Sequence, residues 1–187
     1  MKKVPVSILF LATILSLSHT AAGQTGSSSL NDQLIAAAVN GDVATVRQLL
    51  DKGANIEARD MFNFTALMDA AGQGNTEVVK LLLDKGANIE AKDNSGWTVL
   101  MVAAIRGKTE VAMLLAEKGA NIEAKDNTGR TALIMAAMMG KTEVVKLLLD
   151  KGANIEAKDN IGETALNKAE RKGSTETVKL LQEHGAH

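Results

Sequence analysis

The hexapeptide GANIEA occurs four times, with its glycine at Gly53, Gly86, Gly119 and Gly152, and a fifth Gly-Ala pair begins at Gly185. Every interval is 33 residues. Thr65, Thr98, Thr131 and Thr164 keep the same period, as do Gly41, Gly74, Gly107, Gly140 and Gly173, so the register holds without insertion from about Leu30 to the C-terminus. A unit this short cannot enclose a core by itself, and a chain built this way must bury each copy against its neighbours. Five copies fit, the first and last incomplete.

Within one copy, Thr65 precedes an alanine-rich run, Ala66 to Ala71, where its hydroxyl can accept a hydrogen bond from an orphaned N–H of the first helical turn. This first helix is short and ends near Gly72 or Gly74. The stretch NTEVVKLLLDKG from Asn75 predicts a second helix, with Glu77 in its first turn, Val78, Leu81 and Leu82 on one face and Gly86 as its stop. ANIEAKDNSG from Ala87 then places Asp93 and Gly96 in a composition suited to a tight reversal. One copy departs from its sisters: DMFNFTALM from Asp60 has Asn63 where the others have Gly96, Gly129 and Gly162. Asparagine is the commonest substitute for glycine at positive φ, so the turn is expected to survive.

The end copies are polar where the inner ones are apolar. Gln182 stands in place of Leu83, Thr177 of Val78 and Glu170 of Ala71. At the other end Gln48 replaces Leu81, and Asp32 replaces Thr65 as a candidate N-cap. Such ends suit a finite stack whose outer faces meet water, and the array reads as complete.

The period, the motif D-x-x-G-x-T-A-L and the motif A-A-x-x-G-x-T-E-V-V-K-L-L-L-x-K-G-A-N-I-E-A-K together resemble the ankyrin repeat family, over about residues 30 to 187. The resemblance implies an all-α solenoid of five helix-turn-helix repeats, with β-turn loops projecting from it and a concave face made of loops and first helices. It also implies protein binding without catalytic chemistry. The family's T-P-L-H box here reads Thr65-Ala66-Leu67-Met68, Thr98-Val99-Leu100-Met101, Thr131-Ala132-Leu133-Ile134 and Thr164-Ala165-Leu166-Asn167. Without the proline no residue presets φ in the first turn. Met68, Met101 and Ile134 are expected to fill the histidine's space apolarly.

Ahead of the array, Lys2 and Lys3, an apolar run from Val4 to about Leu17 and the small residues of HTAAGQ from His19 have the layout of a secretory signal peptide, cleaved after Ala22 or Gly23. The run falls short of the ~20 residues of a membrane span, and Pro5 and Ser7 interrupt it. The expected organisation is a signal peptide over 1–23, a flexible leader over 24–30 and the repeat array over 31–187. The array divides into an N-terminal capping repeat 31–59, repeats 60–92, 93–125 and 126–158, and a C-terminal capping repeat 159–187. Without Lys2 and Lys3 the chain has 19 basic and 22 acidic residues, a formal charge of −3. So mild a balance gives no electrostatic reason to bind nucleic acid, or a membrane once the signal is cleaved. The lack of any cysteine is compatible with export.

No catalytic residue, cofactor or metal site is expected. The only histidines are His19, inside the signal, and His184 and His187 at the C-terminus, and there is no cysteine or tyrosine, so Ser-His-Asp, Cys-His and zinc hydrolase constellations cannot be assembled. Glu57, Glu90, Glu123 and Glu156 recur at the repeat period, which makes them a ladder rather than a convergent acid-base pair. Gly72 and Gly74 follow a helix instead of a strand and do not make a phosphate loop. The DNSG and DNTG turns lack calcium-loop spacing, and their aspartates are expected to form turns.

Positions that differ between copies are free to carry recognition, and they are the loop tips and the ends of the first helices. Every aromatic residue after the signal falls among them: Phe62, Phe64 and Trp97. The expected partner-binding set is Met61, Phe62, Phe64, Trp97, Ile105, Arg106, Arg130, Met138, Met139 and Ile161, with its aromatics exposed. Phe64, Trp97 and Arg130 should lie on successive rungs of one edge, and Ile105 and Met138 together deeper on the concave side. The competing reading of Phe62 or Phe64 is a local staple packed on a neighbouring loop. The expected function is that of a monomeric, non-catalytic module in the bacterial periplasm, holding a protein partner as scaffold, inhibitor or assembly factor. The alternatives are a secreted effector acting on a foreign cell, and an antioxidant accessory protein working through oxidation of Met61, Met138 and Met139.

Overall fold

The computed structural model describes residues 28–187, so the expected signal peptide and residues 24–27 of the leader lie outside the described residues. Ten helices follow one another in five antiparallel pairs among them. The first helices are α1 (Leu30–Asn40), α3 (Ala66–Gln73), α5 (Val99–Arg106), α7 (Ala132–Met138) and α9 (Ala165–Lys172). The second helices are α2 (Val43–Asp51), α4 (Thr76–Asp84), α6 (Thr109–Glu117), α8 (Thr142–Asp150) and α10 (Thr175–Glu183). First helices stack on first helices and second on second, each pair touching the next. The result is the solenoid that the period required.

Local chemistry sets each pair. The hydroxyls of Thr65, Thr98, Thr131 and Thr164 accept hydrogen bonds from the N–H groups of Met68, Met101, Ile134 and Asn167, which caps the four regular first helices. A first helix is walled in on several sides, so α5 buries every residue from Val99 to Ile105. The second helices meet the stack along one stripe only: α4 buries Val78, Val79, Leu81 and Leu82 and leaves Glu77, Lys80 and Asp84 in water. Met68, Met101 and Ile134 are fully buried, filling apolarly the place expected of them.

Two expectations about the ends are corrected. Ser29, not Asp32, is the N-cap of α1: the Ser29 hydroxyl accepts from Asp32 N–H while the Asp32 carboxylate accepts from Ser29 N–H. The helix therefore starts at Leu30, one turn earlier than its sisters. Thr177 does not face water either; it is buried, 2.9 Å from the Thr142 hydroxyl, because its position points at the preceding repeat. Gln48, Glu170 and Gln182 are exposed, as polar ends should be.

Between repeats the glutamate ladder has a mechanical role. Glu57, Glu90 and Glu123 each accept from the backbone N–H of the asparagine 31 residues on, at 2.7, 2.7 and 2.8 Å, and Glu156 accepts from His187 N–H at 3.3 Å. A carboxylate accepting a main-chain N–H is a charge-assisted bond, stronger than a neutral one. The repeat period thus returns one stitch per interface.

Candidate functional site

Each projecting loop is folded by its first residue. Asp60 Oδ1 accepts from the N–H groups of Phe62 and Phe64, both at 2.8 Å. Asp93 does the same for Ser95 and Trp97, Asp126 for Thr128 and Arg130, and Asp159 for Ile161 and Glu163. Aspartate suits the place because its short side chain reaches backbone two and four residues on. The turn-forming role expected of these aspartates is what the structure shows.

The loops differ in how they join their neighbours. Asn127 N–H donates to Ser95 O at 3.0 Å and Asn160 N–H to Thr128 O at 2.9 Å, and the side-chain amides of the same asparagines donate to Asn94 O and Asn127 O. Asn94 makes no such bond to the loop before it. The cause is Asn63. A Cβ at Gly96 or Gly129 would lie 3.0 or 2.8 Å from the backbone nitrogen of the next loop's asparagine, so those stitches need glycine. Asn63 takes the same left-handed conformation, φ 66°, and the turn survives as expected, but its Cβ occupies the room the next loop would use. Arg59 bridges the gap from the side, its Nη1 donating to Asn63 O at 2.8 Å and Lys92 O at 2.7 Å.

Exposure follows. Met61 is 88 % exposed and Phe62 45 %, on the unstitched tip, and Ile161 is 74 % exposed on the last one. The expected exposed aromatic stripe is corrected at Trp97, which is only 6 % exposed. Arg130 lies over its ring, 5.9 Å from the centroid, and is itself held by two nitrogens on Asp126 Oδ2 at 2.6 and 2.8 Å. Phe64 is half-buried against the core, closer to the staple than to the open contact. Ile105 is buried because α5 is enclosed, while Met138, Met139 and Arg106 are half-buried at helix ends. The ten expected residues therefore split: Met61, Phe62 and Ile161 face outward, Arg106, Met138 and Met139 partly so, Phe64 and Arg130 line the edge, and Trp97 and Ile105 belong to the packing.

A set of charges lies outside the expected residues. The fourth helical position of the four regular first helices reads Asp69, Val102, Met135 and Lys168, so ionisable groups stand in two copies where the two between them are apolar. Lys168 is buried, 2.5 Å from Asp159 Oδ2 and also paired with Glu163, which Arg171 holds at 2.6 Å. Burial pushes Asp159 and Asp126 up, but Lys168 and Arg130 outweigh it and hold both carboxyls below the ordinary range. Lys168 likewise lowers Glu163. At Asp69 no such cation arrives: burial, reinforced by Asp60 and opposed by Arg106, raises its carboxyl to about 7. Burial also raises Asp93.

His184 Nδ1 lies 2.8 Å from Leu180 O, and among the described residues no group of three His, Asp or Glu side chains converges as a metal site. No helix of the described residues is long and apolar enough to cross a membrane. A family model described as ankyrin repeats (3 copies) matches residues 34–126 and 123–187. Comparison with the curated proteins finds no match.

Proposed function

The chain belongs to the ankyrin repeat family, whose repeats are in general non-catalytic protein–protein interaction modules, and we propose that it holds a protein partner through the loop-tip edge led by Met61 and Phe62. The exposure of two large apolar side chains at loop-tip offsets that hold Asn, Ser and Thr in the next two loops carries the reading. Met61, almost wholly in water, contributes about 1.5–3 kcal/mol when a partner covers it, and the already half-covered Phe62 about half as much. Arg106, Met138 and Met139 continue the surface along the helix ends, and Arg130 and Phe64 border it. Trp97 and Ile105 support the edge from beneath.

The location is part of the same proposal: after removal of residues 1–23 the module works in the periplasm, as scaffold, inhibitor or assembly factor. The layout around Lys2, Lys3 and Ala22 supports export. Affinity capture from periplasmic extract, with the wild type and a Met61→Ser, Phe62→Ser double variant as baits, tests the edge. Loss of two anchors is expected to weaken capture at least about 30-fold, on the scale of ~2 kcal/mol for a hot spot. Equal recovery of the same partners by two baits of equal helicity contradicts it. Fractionation tests the place, and protein found only in the culture medium contradicts the periplasmic assignment.

A further inference from the structure

Asp69 sits on α3 with its Oδ2 buried and without a hydrogen-bond partner, and it makes no ion pair among the described residues. The charged groups that bear on it are Asp60, from its own loop, and Arg106, from α5. The other elements packed on α3 bring none: Asp32 is the only ionisable residue of α1 and is engaged with Ser29, and Glu77, Lys80 and Asp84 of α4 face water. Asp69 is half-buried, but its Oδ2 has neither water nor a donor, which favours the neutral carboxyl.

Asp60 is the residue whose carboxylate holds Phe62 and Phe64 in the turn. In the last repeat a long side chain at the second of these positions reaches the first. Asp159 and Lys168, at the offsets of Asp60 and Asp69, form an ion pair at 2.5 Å. Where that repeat sets opposite charges, the second sets two acids. Ionising Asp69 therefore places a negative charge against the group that organises the exposed tip.

We propose that Asp69 is a proton-operated latch on residues 60–64: neutral, it seats beneath the turn, and ionised, it repels Asp60 and loosens the tip that carries Met61 and Phe62. Its meaning for binding rests on the reading of that tip as the partner edge. The latch itself does not, so its test needs no partner, and its failure would leave the capture experiment standing.

The folded value of about 7 lies above the ordinary 3.8, so the seated state is fully favoured below about pH 4 and loses stability as pH rises towards 7, with no further loss beyond. The test compares the wild type with Asp69→Asn, which keeps the shape, and Asp69→Val, which copies Val102. Urea unfolding and amide exchange are followed from pH 5 to 8, and the Asp69 carboxyl carbon is titrated by NMR. The wild-type folding constant, taken as a ratio to either variant, is expected to fall by up to about tenfold per pH unit between 5 and 7 and then to level. His184 and His187 are common to all three proteins and cancel in that ratio. Protection of the Phe62 and Phe64 amides, corrected for intrinsic exchange, should fall with it in the wild type alone. A ratio constant over the range, a carboxyl titrating near 4, or protection changing alike in all three proteins overturns the latch.

Discussion

The loops that begin at Asp60 and Asp126 are folded by the same two backbone hydrogen bonds to one carboxylate, yet the first has no backbone stitch to the loop after it and the second is stitched on both sides. Around Asp126 the turn is crowded with bonded charge: Arg130 locks onto the aspartate and covers Trp97. At Asp60 the offset that holds Lys168 in the last repeat carries a second acid, Asp69, and Phe62 at the tip is exposed. The difference teaches that a repeat glycine does two jobs here. It supplies positive φ, which Asn63 also supplies, and it leaves room for the next loop's backbone, which Asn63 does not.

The sharpest break in the comparison should come from the cation side. Lys168→Met leaves Asp159 buried without its partner, and a loss of about 3–5 kcal/mol in urea unfolding is expected, with part of it recovered by adding Asp159→Asn. Next comes the aromatic contrast. Trp97→Ala should cost about 3 kcal/mol as a cavity beneath Arg130, whereas Phe62→Ala should cost about 1 kcal/mol or less, since nearly half of that side chain already meets water. Equal costs would mean that the two aromatic residues are not in different environments.

Acid sharpens the same comparison. Asp126, Asp159 and Glu163 have carboxyls held below their ordinary values, so their stabilisation is present above those ordinary values and is lost as pH falls through the folded ones. Asp69 has the opposite sign. Lowering pH from 7 to 5 should tighten residues 60–64, and lowering it further should loosen residues 126–130 and 159–163, both read by amide exchange.

The fold was legible because a fixed period of 33 residues requires stacked copies, because the recurring motifs resemble the ankyrin repeat, and because capping threonines and turn aspartates act within four residues of themselves. The candidate site was legible only in part. Trp97 looked exposed in a list of loop residues, but its cover comes from Arg130, a full repeat away, and that arginine's own seat depends on Asp126. Asp32 falls at the offset of the capping Thr65, but the chain uses Ser29 and extends α1 by a turn. The Asp69 and Lys168 series was visible in the sequence as two charges at an apolar offset. What it lacked was the burial that makes such charges matter.

The claim that one side-chain carbon frees the first projecting loop is tested most directly by amide exchange at Asn94, Asn127 and Asn160, in the wild type and in Asn63→Gly. The expected result is protection at Asn127 and Asn160 in both proteins, and protection at Asn94 only in the variant, where Asn94 N–H can reach Phe62 O. Asn94 protected as well as the other two in the wild type, or left unprotected when residue 63 is glycine, would contradict it.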